Sequence, residues 1–202
     1  MENLNYFTEP APIPALWADT QAAGFTMATD PLTCSLLRTL AASKISARFL
    51  ELGSGTGVST AWLLDGMDAN SRLITVDNDA SLLAILKRHL GQDPRLEIVC
   101  ADGDQFLQSL KGQHFDFIFA DTWPGKYRLL EQTLALLNPG GLYVIDDMLP
   151  QPNWPEGHAD NVTALLNQLE QMPGFQISKL SWASGIVIVT KYESAKTYVS
   201  ED

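Results

Sequence analysis

Acidic residues end one apolar run after another in this chain, and that placement is where its chemistry would sit. Asp77 follows Leu73-Ile74-Thr75-Val76, Asp121 follows Phe115 to Ala120, and Asp146-Asp147 follows Leu142-Tyr143-Val144-Ile145. A carboxylate such as Asp77 at a strand end can accept both hydroxyl protons of a ribose, or it can be an ordinary solvated acid. If the strands ending at Asp121 and Asp146 are neighbours, they lie about 4.8 Å apart and the three carboxylates converge. Carboxylates so crowded repel, and one must hold a proton unless a cation sits among them. An all-oxygen set suits Mg²⁺, Ca²⁺ or Mn²⁺. Two further residues could handle protons. Lys126 either reaches inward or is a solvated lysine at a helix start. His158, after a loop carrying Trp154, either accepts a proton from a hydroxyl near neutral pH or merely begins a helix. Trp154 could wall a planar ring.

These side chains need a frame, and the frame is organised by Phe49-Leu50-Glu51-Leu52-Gly53-Ser54-Gly55-Thr56-Gly57-Val58-Ser59-Thr60. The apolar run to Glu51 reads as a buried strand and Val58 to Leu64 as the opening of a helix. The glycines between them let the backbone bend sharply and approach a bound molecule. A dinucleotide fingerprint is G-x-G-x-x-G, whereas here Gly53, Gly55 and Gly57 fall as G-x-G-x-G with Glu51 two positions before. That spacing resembles motif I of the class I S-adenosylmethionine (SAM) dependent methyltransferases. The resemblance implies that Glu51, Gly53, Ser54, Gly55 and Gly57 border the cofactor. The alternative is a turn that only joins strand to helix.

The remainder alternates strand and helix. Strands are expected at Arg72 to Asp77, Arg95 to Cys100, Phe115 to Asp121 and Leu142 to Asp146. Helices are expected from Asp79-Ala80 to Leu90, after Asp102-Gly103-Asp104, and over Tyr127 to Leu137, which Pro139-Gly140-Gly141 ends. Such alternation predicts an α/β, Rossmann-like, doubly wound, mostly parallel sheet with ligands at the carboxyl ends of the strands. A helix over Asn161 to Met172 and two runs, Phe175 to Leu180 and Gly185 to Lys191, add an antiparallel hairpin, for seven strands in all. Before the core, Pro10, Pro12 and Pro14 precede a helix near Ala15 to Ala23. Asp30-Pro31 then caps a second helix carrying Leu32, Leu36, Leu37 and Leu40. We read one domain over 1–202: N-terminal helices to residue 45, a core over 46–192 and a loose tail from Glu193.

Composition narrows the partners. The chain has 202 residues, 46% hydrophobic and 18% charged, which suits one soluble domain with a substantial core. Net charge is -11, with 24 acids against 13 bases and no basic run, so nucleic acid is disfavoured and a small-molecule substrate fits better. No apolar run approaches the roughly 20 residues that cross a bilayer, and the N-terminus lacks the pattern of a secretion signal, so the cytoplasm is expected. Cys34 and Cys100 lack metal-ligand spacing and read as core thiols rather than a disulfide.

The resemblance narrows to the catechol and caffeoyl-CoA O-methyltransferases and their bacterial relatives. It rests on Glu51-Leu52-Gly53, Leu73 to Asp77, Asp116 to Tyr127, and Pro139-Gly140-Gly141 through Asp146-Asp147. It implies that Asp77 holds the ribose, Asp102-Gly103 the adenine turn, Ser59 the SAM carboxylate and Trp123 a wall against adenine. It also implies that Asp121, Asp146 and Asp147 hold a divalent metal that binds adjacent oxygens of a phenolic acceptor. Asp147 stands where Asn is usual, and Pro124 stands where the catechol enzyme has its lysine base, which leaves Lys126 or His158 as helpers. The competing readings are a metal-independent methyltransferase in which Asp121 orients SAM, an aminopropyltransferase, and a SAM-binding module without chemistry. Related bacterial enzymes are often homodimers.

Overall fold

The computed structural model describes residues 8–152 and 154–192. The elements are α1 (Ile13–Ala22), α2 (Pro31–Ala42), β1 (Arg48–Leu52), α3 (Val58–Gly66), β2 (Arg72–Asp77), α4 (Ala80–Leu90) and β3 (Leu96–Cys100). They continue with α5 (Gly103–Ser109), β4 (Phe115–Ala120), α6 (Leu130–Ala135), β5 (Leu137–Ile145), α7 (His158–Gln171), β6 (Phe175–Leu180) and β7 (Ile186–Lys191). The seven strands form one sheet in the order β3-β2-β1-β4-β5-β7-β6. Pairs among β1 to β5 are parallel, and β7 runs antiparallel between β5 and β6.

Both faces of the sheet are covered, which is why its central strands read as unbroken apolar runs rather than alternating ones. Phe49, Phe117 and Phe119 pack on one side with α1 to α4, while Leu50, Ile118, Tyr143 and Ile145 pack on the other with α5 to α7. Helix starts follow capping chemistry. The Asp30 carboxylate accepts the Leu32 amide at 2.7 Å, and Asp102 accepts the Gln105 amide at 3.0 Å. The order reverses between β1 and β4, so a crevice opens beyond their carboxyl ends.

Some boundaries differ from expectation for local reasons. The helix expected over Tyr127 to Leu137 is only Leu130–Ala135, because the chain first makes a tight turn. In that turn the Trp123 carbonyl accepts the amides of Lys126, Tyr127 and Arg128. Leu129 then takes a φ of 58°, which breaks helical geometry. β5 starts early at Leu137, and pairing with β4 shifts register between Phe115 and Phe117 to absorb the glycines. α7 starts at His158, ahead of Asn161. Cys34 is a buried thiol as expected, but Cys100 is exposed because β3 is an edge strand. Among the described residues no helix is long and apolar enough to cross a membrane. The tail expected from Glu193 lies outside the described residues.

Candidate active site

The turn after β1 is held against two neighbouring strands. The Gly53 amide donates to the Val76 carbonyl at 2.9 Å. A Cβ on Gly53 would stand 2.8 Å from the main-chain oxygen of Asp121, and its φ is 91°. Only glycine fits there. The Gly55 amide donates to one oxygen of Asp77 at 2.8 Å and the Asp79 amide to the other at 3.0 Å. These bonds fix the Asp77 carboxylate and leave each oxygen a further lone pair. The Phe25 ring roofs the turn, since a Cβ on Gly55 would lie 2.8 Å from it.

Over this turn lies a cavity of about 760 Å³, bordered by Gly53, Ser54, Gly55, Asp77, Asp121, Trp123, Lys126, Asp146, Asp147 and His158 among others. A side hollow of about 240 Å³ shares Gly53, Asp77 and Trp123 with it and adds Asp102, Gly103 and Pro124. The volume is of the size that takes a nucleoside-sized ligand and a small acceptor together. Ser54 is 5% exposed, and among the described residues its Oγ has no hydrogen-bond partner. A buried orphan hydroxyl beside a glycine cradle is suited to a polar ligand.

Glu51 and Ser59 depart from expectation. Glu51 is fully buried and does not border the cavity. Its oxygens accept the hydroxyls of Ser59 at 2.6 Å, Thr60 at 2.5 Å and Thr75 at 2.6 Å. Burial raises its pKa against the lowering effect of those donors. Glu51 therefore ties α3 and β2 to β1 rather than bordering the cavity. Ser59 does border the cavity, but its proton goes to Glu51 and is not available to a ligand carboxylate.

The acidic residues gather as the strand order requires, and a lysine gathers with them. The Thr29 hydroxyl donates to Asp121 Oδ2 at 2.9 Å. Asp146 Oδ1 accepts the Asp147 amide at 2.8 Å and also the Ser184 hydroxyl. Lys126 is 3% exposed, and its Nζ donates to the Asp146 carbonyl oxygen at 2.6 Å. Burial, then the charges of Asp146 and Asp147, push the Asp121 carboxyl well above the usual range. Burial likewise lifts Asp146 to about 6. Burial lowers Lys126, against the raising effect of the three aspartates.

A divalent ion does not fit this arrangement well. It needs several oxygens converging on one point, and one oxygen each of Asp146 and Asp121 is oriented by hydrogen bonds instead. Among the described residues no group of three or more His, Cys, Asp or Glu side chains is arranged to hold a metal.

The wall beyond is aromatic. The Tyr127 hydroxyl lies 3.0 Å from His158 Nε2. The Trp154 ring is 4.5 Å from that of His158, and Trp123 stands edge-on to Tyr127 at 5.7 Å. Burial, then the charge of Lys126, lower the His158 pKa, and burial raises that of Tyr127. Tyr127 thus keeps its proton beside a neutral imidazole. Pro124, where a lysine base was wanted, packs on Gly103, whose added Cβ would sit 2.7 Å from its ring.

Sequence reasoning missed Phe25, Thr29 and Ser184, and it read Tyr127 only as a helix start. Thr29 had a signal in standing beside the Asp30 cap; Phe25 had none.

The strand order, the glycine turn and the carboxylate at the end of β2 together give the class I methyltransferase fold. The family description of a methyltransferase domain matches residues 50–148. A protein of Mycolicibacterium paratuberculosis (strain ATCC BAA-968 / K-10), provisionally named an O-methyltransferase, is 30% identical over 132 residues, 63% of this chain and 58% of that protein. The O-methyltransferase of Bacillus cereus, solved in complex with SAH, superposes with a TM-score of 0.80 at 18% identity, covering 92% of each chain. The O-methyltransferase TomG of Streptomyces achromogenes, solved with SAM, gives a TM-score of 0.80 at 19% identity, again over 92% of each. The chain has the fold of the class I SAM-dependent methyltransferases. It spans less than two thirds of the length of the curated relatives it matches.

Proposed function

We propose that the chain transfers the methyl group of SAM to a hydroxyl oxygen of a small, planar, phenol-like molecule. The observation that carries this reading is the Asp77 carboxylate, fixed by the Gly55 amide at 2.8 Å in the wall of a cavity that runs on to Lys126 and His158. When bound, SAM supplies an electrophilic methyl group on a sulfonium. Asp77 is suited to its ribose hydroxyls, Ser54 Oγ to a polar group, and Trp123 with Asp102 and Gly103 to the adenine. The acidic rim of Asp121, Asp146 and Asp147 favours a positive centre over that end of the cavity.

The acceptor lies against Trp154 and His158, with Phe25 and the loop before α7 limiting water. Holding two partners in contact in a dry site is the main contribution such a protein makes to an in-line displacement. The hydroxyl proton passes to the His158–Tyr127 pair, in which the imidazole is neutral and fixed in orientation. We place this activity in a single domain acting in the cytoplasm, with self-association into a homodimer as the expected assembly.

Incubating the chain with SAM and a panel of catechols and simple phenols, read by product mass, tests the reading. A gain of one methyl group on an oxygen supports it. An aminopropyl gain from decarboxylated SAM, or SAM binding without any product, contradicts it.

A further inference from the structure

We infer that Ala183, in the turn between β6 and β7, sets how long an acceptor the cavity takes. This rests on the methyl-transfer reading of the cavity.

The strand order gives the site a direction. From Asp77 at the end of β2 to the start of β7 is four strand spacings, about 19 Å, with Asp121 beyond β4 halfway along. Pairing of Ile145 with Val187 brings the turn before β7 to the level of Asp146 and Asp147, at the carboxyl edge of the parallel strands. Ala183 and Ser184 border the same cavity as Asp77. With the ribose at Asp77 and the sulfonium near Asp121, about 10 Å remains for the acceptor before the turn is reached. That is room for one ring and a short substituent.

The turn is a fixed wall. The Trp182 indole donates to the Leu32 carbonyl at 3.0 Å, which ties the turn to the start of α2. The Gly185 amide closes the turn on the Trp182 carbonyl at 2.8 Å, and the Leu149 amide donates to the Ser184 carbonyl at 2.8 Å. Gly185 has a φ of 91°, and a Cβ there would stand 2.4 Å from the Leu149 nitrogen, so the turn has no room to shift that way. The Ser184 hydroxyl is spent on Asp146. Ala183 is left as the side chain that the turn contributes to the cavity. It is half-buried and has a φ of 51°, a conformation that costs an L side chain and suits glycine. Its methyl is carried against the local geometry, and residues held in such regions cluster at ligand sites.

Calorimetric titration of phenol and its meta- and para-alkyl derivatives into the SAH-saturated chain tests this, beside Ala183→Gly and Ala183→Asn. Both replacements accept a positive φ, so neither variant strains the turn. For propylphenols, Ala183→Gly is expected to bind about tenfold more tightly than wild type and Ala183→Asn about tenfold more weakly, with phenol itself changed less than about threefold. The same dependence on alkyl length in wild type and both variants overturns the assignment, as does a wild type that binds none of the phenols. SAM in place of SAH, read by product mass, reports separately on the chemistry. A shifted length preference without methylated product removes the methyl-transfer reading and leaves Ala183 as the wall.

Discussion

Tyr127 and His158, 31 positions apart, meet through a hydrogen bond of 3.0 Å between the phenol and Nε2. Tyr127 comes from the turn that also sends Lys126 inward, and His158 is the first residue of α7. One contact therefore joins the loop after β4 to the helix that closes the far side of the site.

Removing that phenol should affect turnover more than binding. In Tyr127→Phe, His158 Nε2 loses its partner, and kcat is expected to fall about tenfold or more, with SAM affinity changed less than threefold. The pH profile carries the sign. Burial holds the His158 pKa below its ordinary 6.5, so the imidazole is neutral above that value in both folded and unfolded chains. Wild-type kcat should be level from about pH 7 to 8 and decline on the acid side, with its midpoint below 6.5. A decline centred above that value would contradict the assignment.

Asp146 carries a cost at neutral pH. Its folded pKa, about 6, lies above the unfolded 3.8, so the folded chain holds the proton more tightly. Stability from this group is present below 3.8 and is lost as pH rises through about 6. Asp146→Asn keeps an oxygen for Ser184 and the Asp147 amide. It should raise stability at pH 8 by about 1–2 kcal/mol, with the gain vanishing near pH 4. Chemical denaturation at the two pH values measures it. Equal effects at both would place the strain elsewhere.

Gly53 tests how closely the turn must approach β4. Ala there would bring Cβ to 2.8 Å from the Asp121 carbonyl oxygen at a φ of 91°, against main chain that cannot step aside. A loss of about 2–4 kcal/mol is expected, with SAM binding abolished or severely weakened. Gly112 is the control. It too has a positive φ, 80°, but open space around it, so Gly112→Ala should cost only about 1 kcal/mol and leave binding intact.

The readable parts of this site are those whose geometry is written locally. The spacing of Gly53, Gly55 and Gly57 and the acids at strand ends fix where the ligand end of the sheet lies. Asp30 and Asp102 cap their helices through amides two or three residues away. The unreadable parts depend on distant partners. Thr29 and Asp121 are 92 residues apart and Ser184 and Asp146 are 38 apart, so neither bond leaves a local trace. Glu51 was misplaced because both faces of β1 are buried, and no alternation told which face its side chain takes. Lys126 kept two readings until the turn at Gly125 decided its direction.

Calorimetric titration of SAM into the chain, beside Asp77→Ala, tests the central claim most directly. Wild type is expected to bind one SAM per chain with a Kd of about 1–100 µM, and Asp77→Ala to weaken it about tenfold to a hundredfold through loss of charged hydrogen bonds. No binding by wild type at millimolar SAM, or an Asp77→Ala variant that binds as tightly as wild type, would contradict the account.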